Sequence, residues 1–482
     1  MKLKGLLVLA LLCVALSLQV SANSYLYNAE GNSVSAPDAF TISEVHDGFF
    51  DAVGKLKNPS DIYVTQNGDI AIADTGNDRV VIFDKSWRHK RTIQQLIQDG
   101  NNEAHTLMSP KGVFIDKHGI VYVADTGNNR VIAIDEQDVI IREMTQENVP
   151  AINENMQFNP EKVVVDTDGN VYVVDRAVYQ GIMQYDYDGK FAGFYAPNEV
   201  EVTAGVLFVE MWKNLLGQDN ADALKKSLPL PYNNLYIDQE NFVYTTATGV
   251  PVGSELKRLN ALGINVLRTV DSKICPYGDL ELSYSNDSVI SSRFVDVHAD
   301  QNGLVGIVDE RQGRIFVYNQ GVDLVAIMDT GIRSITAIDK IGEDYLVLDG
   351  DRGSVSVMAP TPYMMDVIEA LSYYNKGEYT NSVSMWQDIL GQNAHLDVAY
   401  RSIGRAYFQT GNSRLALNML KKGDDPYFYS LALKDYRKEF VRENFVWLLL
   451  TAIVILVGMI IGLKHLRRWL SADNRRTGCN HV

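Results

Sequence analysis

From Asp61 to Met358 the chain is a succession of short apolar runs, each closed by a turn. Asp61-Ile-Tyr-Val64 is followed by Asn67-Gly68 and then Ile70-Ala-Ile-Ala73, a hairpin signal. Val80-Val-Ile-Phe83 adds a third strand, and the triplet recurs. Gly112–Ile115, Ile120–Ala124 and Val131–Ile134 form the second set; Lys162–Val165, Val171–Val174 and Gly181–Tyr185 form the third, around Asp168-Gly169. Leu235–Asp238, Phe242–Thr245 and Leu256–Leu259 make a worn fourth set. Phe294–Asp300, Leu304–Asp309 and Arg314–Tyr318 make the fifth; Ile335–Asp339, Tyr345–Asp349 and Val355–Met358 make the sixth. Strands of this length with turns at every step predict antiparallel blades. Past Pro360 and Pro362 the apolar spacing becomes helical. Past Asn444 it becomes one continuous apolar run.

The sets share a phrase. Pro59, Gly68, Asp74 and Arg79 recur as Pro110, Gly119, Asp125 and Arg130, a period of about 50 residues that marks a repeat architecture. Its centre is Asp74-Thr-Gly-Asn-Asp-Arg79 and Asp125-Thr-Gly-Asn-Asn-Arg130. Asp and Asn hold turns through their side chains, Gly tolerates positive φ, and Arg reaches carboxylates or carbonyls. Asp74, Asn77, Arg79, Asp125, Asn128 and Arg130 therefore read as structural residues that tie blade to blade, not as catalytic ones. The phrase resembles the NHL repeat: closely in sets one and two, partly in three, five and six, and weakly in four. The resemblance implies an all-β propeller of six blades. Tyr25-Leu-Tyr27 to Ile42 is β-compatible and is expected to supply the outer strand that closes the ring.

Two stretches break the pattern. Residues 198–230 contain a segment with Phe208, Met211, Trp212 and Leu215 at helical spacing, and residues 274–291 contain Cys275-Pro-Tyr277. Long excursions from a propeller build binding faces, so Phe208, Met211, Trp212 and Leu215 are the candidate binding residues. After the propeller (23–359), residues 360–442 carry a second repeat. Ala370, Tyr373, Gly377, Ser382 and Trp386 match Gly404, Tyr407, Gly411, Ala416 and Leu420 at an offset of about 34 residues, resembling the tetratricopeptide repeat. Phe445–Leu463 is uncharged and, at roughly 20 residues, long enough to cross a bilayer. Lys464, His465, Arg467, Arg468, Arg475 and Arg476 follow and mark the cytoplasmic flank of a tail at 464–482. Residues 1–22 read as a signal peptide, with Lys2 and Lys4, an apolar stretch and Val20-Ser-Ala22. The propeller and helices are thus expected outside the membrane.

The net charge of −16 argues against non-specific nucleic-acid binding. No zinc-protease spacing, nucleophile elbow or phosphate loop is present, and of the eight His only His298 falls in a first strand. Two function classes follow: a membrane-tethered binding propeller for a protein or glycan, without cofactor, or a hydrolase or lyase. For the latter, the propeller that the NHL resemblance implies belongs to a fold that includes six-bladed lactonases, which hold a divalent ion with funnel carboxylates. The layout of signal, propeller, short helical repeats and one anchor resembles proteins of Gram-positive bacteria found beside sugar-transport permeases.

Overall fold

The structure is a computed structural model. It describes residues 24–28, 32–47, 53–98, 104–145, 158–197, 231–248, 255–267, 281–283 and 289–477. Residues 1–22, Phe208, Met211, Trp212, Leu215 and Cys275 lie outside these residues.

Six blades stand around one axis. The first holds β4 (Asp61–Val64), β5 (Ile70–Asp74), β6 (Arg79–Phe83) and β7 (His89–Ile93). The second holds β10 (Gly112–Ile115), β11 (Val121–Asp125), β12 (Arg130–Ile134) and β13 (Val139–Thr145). A hairpin of β8 (Gln95–Gln98) and β9 (Ala104–Thr106) extends it, with β8 parallel to β13. The third holds β14 (Pro160–Val165), β15 (Val171–Asp175), β16 (Ile182–Tyr185) and β17 (Phe191–Tyr195). The fourth, among the described residues, has three strands: β18 (Tyr232–Ile237), β19 (Val243–Ala247) and β20 (Leu256–Leu259); a separate hairpin of β21 (Glu281–Ser283) and β22 (Val289–Ser291) follows it. The fifth holds β23 (Phe294–Ala299), β24 (Leu304–Asp309), β25 (Arg314–Asn319) and β26 (Leu324–Asp329). The sixth holds β27 (Ile335–Ile341), β28 (Asp344–Asp349) and β29 (Ser354–Pro360), and β3 (Phe40–Asp47) is its outer strand.

The ring is therefore closed by an N-terminal strand, but one placed later than the sequence suggests. β1 (Ser24–Tyr27) pairs with β2 (Ser33–Ala36) instead, and this hairpin leans on β26. Phe40 explains the choice: it is buried against Tyr345, whereas Ile42 and Val45 lie on the exposed face of the edge.

The two faces of the disc differ. On one face the chain turns tightly between first and second strands and between third and fourth. An Asp or Asn opens several of these turns and accepts the backbone N–H groups two and four residues on. Asp116 takes His118 N and Ile120 N, Asp166 takes Asp168 N and Asn170 N, and Asp186 takes Asp188 N and Lys190 N. This is the Asx arrangement. The opposite face carries the Asp-Thr-Gly-Asn turns and the described strand ends that lead from one blade to the next, among them Tyr195 and Tyr232 on either side of 198–230.

Six helices follow: α1 (Pro362–Asn375), α2 (Tyr379–Gln392), α3 (Asp397–Gln409), α4 (Ser413–Lys422), α5 (Pro426–Glu443) and α6 (Phe445–Thr477). Thr361 starts α1 by accepting Met364 N and donating to Asp38 O, with Pro362 at the first helical position. Met364, Val367, Trp386, Leu396 and Ile403 share one buried core with Leu26, Ile315, Phe316 and Leu324. The helical module is thus cored into blade five. It sits on the tight-turn face, where Asn375 donates to Asn302 O, and Arg401 and Arg405 reach Asp323. α6 has an apolar window over Phe445–Trp469 with mean hydropathy 2.8 and none of it buried, enough to cross a membrane.

Candidate functional site

The first strand of each blade has a free edge toward the axis, and alternate side chains point there. Strand register sets two layers. The first holds Asp61, Gly112, Lys162, Asn234, Asp296 and Ala337; the second holds Tyr63, Phe114, Val164, Tyr236, His298 and Asp339. Both are closely filled. A cavity of about 10 Å³ lies among Tyr63, Phe114, Lys162, Tyr236, Asp296 and Asp339, and a space of that size has room for about one water.

The polar members satisfy backbone groups that the free edges leave over. Asp61 accepts Val113 N at 2.9 Å, Asp296 accepts Ile338 N at 2.6 Å, and Asp339 accepts Val64 N at 2.7 Å. Asn234 donates to Val295 O at 2.8 Å. Each bond joins one blade to the next. Across the axis Lys162 donates to Asp61, and His298 Nε2 lies 3.1 Å from Asp339 Oδ1 and 3.3 Å from Tyr236 OH. Burial works to lower the Lys162 pKa, but Asp61 and then Asp296 outweigh it and raise it. Burial pushes Asp61 up against the pull of Lys162. Burial, opposed by Lys162 and assisted by Asp61, pushes Asp296 up to about 7.

This donor set does not fit a divalent ion. One Asp61 oxygen takes Lys162 and the other Val113 N; the Asp296 oxygens take Val297 N and Ile338 N; those of Asp339 take Lys340 N and Val64 N. An ammonium already stands among the carboxylates. Among the described residues no group of three or more His, Cys, Asp or Glu is arranged to hold a metal. The sequence pointed to His298 alone on this axis. The signal for the rest is a polar residue opening an otherwise apolar first strand, legible once the six repeats are stacked in register.

The repeat motifs form the outer rim of the insertion face. Asp74 is buried; its Oδ1 accepts Lys57 N and its Oδ2 accepts Asn77 Nδ2 at 2.8 Å and Arg79 Nε at 2.7 Å. Asp125 repeats this with Met108 N, Asn128 Nδ2 and Arg130 Nε. These bonds stay within each blade. The next blade is reached by neighbours: Thr75 donates to Pro110 O, Asp78 accepts Ser109 N, and Thr126 donates to Pro160 O. The motif Gly has a different reason from the one its sequence suggests. Asp78 and Asn129 take the positive φ, at 53° and 52°. A Cβ on Gly76 or Gly127 would lie 2.7 or 2.6 Å from the Lys57 or Met108 carbonyl. Asp175, Asp309 and Asp349 keep the buried carboxylate in the worn copies, while in blade four the register puts Ala247, not Thr245, at that position.

These features define a six-bladed β-propeller, followed by helices of which one is apolar enough to span a membrane. The NHL repeat model matches residues 56–83, which include β4 to β6. No curated protein matches the chain. Among solved structures it is similar to an inactive virginiamycin B lyase from Staphylococcus aureus with quinupristin, at 10% identity and TM-score 0.40, covering 70% of this chain and 88% of that one. It is also similar to the WD40 propeller domain of Doa1, at 9% identity and TM-score 0.39, covering 68% and 99%. A third is the extracellular domain of a hybrid two-component system from B. thetaiotaomicron, at 10% identity and TM-score 0.36, covering 70% and 39%.

Proposed function

We propose that the chain is a membrane-anchored, extracytoplasmic binding and scaffold protein whose propeller engages a protein or glycan on its insertion-bearing face. The observation that supports this is the asymmetry of the disc. Tight Asx turns and the helical module occupy one face, and the long connections leave from the other. A signal peptide at 1–22 and the basic flank after α6 set the propeller outside. The helices act as a tetratricopeptide-like spacer between propeller and anchor. Their inward side is used up on blade five, so partner capture falls to the propeller. Service beside a sugar permease is the setting this layout suits. The alternative, a metal-dependent hydrolase or lyase, would need axial carboxylates free for an ion, and these are committed to backbone N–H groups and Lys162.

Trp212, with Phe208, Met211 and Leu215, is the proposed anchor within the insertion, because aromatic residues carry most interface energy. Trp212→Ala in the full-length protein should weaken partner capture from solubilised membranes by roughly 2 kcal/mol with unchanged melting. Full capture by a folded variant would remove the insertion from the site.

A further inference from the structure

The axial cluster contains more buried negative charge than it can balance. Three carboxylates face inward: Asp61, Asp296 and Asp339, all at most 4% exposed. The groups that face them are Lys162 from blade three, Tyr63 from blade one, Tyr236 from blade four, and His298 from blade five. Lys162 bonds Asp61, and His298 stands against Asp339. Even with His298 protonated, two cations meet three carboxylates. Asp296 is the one left over: no Lys, Arg or His among the described residues is recorded in an ion pair with it, and its bonds are to Ile338 N and Val297 N. An uncompensated buried charge costs several kcal/mol, and the axial cavity is too small for a hydration shell.

We propose that Asp296 is a proton-binding site on the propeller axis: a proton held there completes the charge balance among the three carboxylates. The position of the group makes the effect global. The cavity it lines is walled by residues of all six blades, Tyr63, Phe114, Lys162, Tyr236, Val297 and Asp339 among them, so charge appearing on Asp296 is felt across the ring. Burial drives Asp296 above the ordinary carboxylate range, in the same direction. The sign follows from linkage. A carboxylate whose folded pKa is raised gives its full stabilisation below the unfolded value, and loses it as pH rises through the folded one. The loss therefore runs from about pH 4 and is complete a little above pH 7, the value to which Asp296 is pushed. This is opposite to the behaviour of a carboxylate whose pKa a cation lowers.

The test is thermal unfolding of the full chain in detergent between about pH 5 and about pH 8. Asp296→Asn should remove a fall in melting temperature with rising pH that the wild type shows. An equal fall in both proteins would overturn the proposal. Should Asp296→Asn not fold, Lys162→Met reports instead. Removing the ammonium adds to the imbalance, so the fall should be steeper than in the wild type and extend to higher pH; a slope equal to the wild type's would overturn the proposal.

Discussion

The residue scale explains why the Asp-Thr-Gly-Asn-Xaa-Arg phrase is so fixed. Asp125 is fully buried and Arg130 is 8% exposed at its side chain, with Arg130 Nε 2.9 Å from Asp125 Oδ2. One carboxylate thus satisfies a backbone N–H, an amide and a guanidinium. Arg130→Ala should lower stability by about 1–3 kcal/mol, since Asp125 keeps Met108 N and Asn128 but loses its charged partner. Chemical denaturation checks this; unchanged stability together with lost partner capture would make the motif functional. The roles of Asp74, Asp125, Arg79 and Arg130 as turn-holders were open to sequence reasoning, because Asp, Asn and Arg have few other uses at a strand end. The reason for Gly76 and Gly127 was not, because it lies in a carbonyl brought close from some 19 residues earlier. Nor were the axial partners: Asp61 and Lys162 are neighbours only because the ring closes.

At the scale of elements, the helical module is held by a charged joint as well as by its shared core. Asp323 is buried and accepts from Arg401 at 2.8 Å and Arg405 at 2.7 Å, and Arg405 also bonds Asp425, the cap of α5. Val322, next to it, is held at φ 61° with its side chain buried, an unfavoured backbone for a β-branched residue. Burial pushes Asp323 up, but Arg405 and then Arg401 outweigh it and hold it at about 2. Its stabilisation is accordingly present above the usual carboxylate range and lost as pH falls from about 4 toward 2. Asp323→Ala should cost about 3–5 kcal/mol, as it leaves two buried guanidiniums short of a partner. Faster hydrogen exchange in α3 and α4, with the blade strands unaffected, is the expected signature; protection of α3 equal to the wild type would contradict it. The strands and helices themselves were largely legible, because alternation and turn residues declare them. The extra hairpin on blade two and the choice of β3 to close blade six were not: both depend on which edge is vacant, a tertiary property.

For the whole molecule, the disc, the helices and the apolar α6 give an order from insertion face to membrane. Protease added outside intact cells should digest the propeller and leave a fragment carrying the C-terminal tail; a tag at Val482 cleaved from outside would reverse the orientation. The central claim is that recognition belongs to the insertion-bearing face. Its most direct test is to block one face at a time. Asp351 lies in the insertion-face turn of blade six and Asp168 in a tight turn of blade three, and both are exposed. Asp351→Cys and Asp168→Cys, each carrying a bulky thiol-reactive polymer, are compared for partner capture from solubilised membranes. The account predicts capture lost with the polymer at 351 and kept with the polymer at 168. Capture kept at 351 and lost at 168 would contradict it.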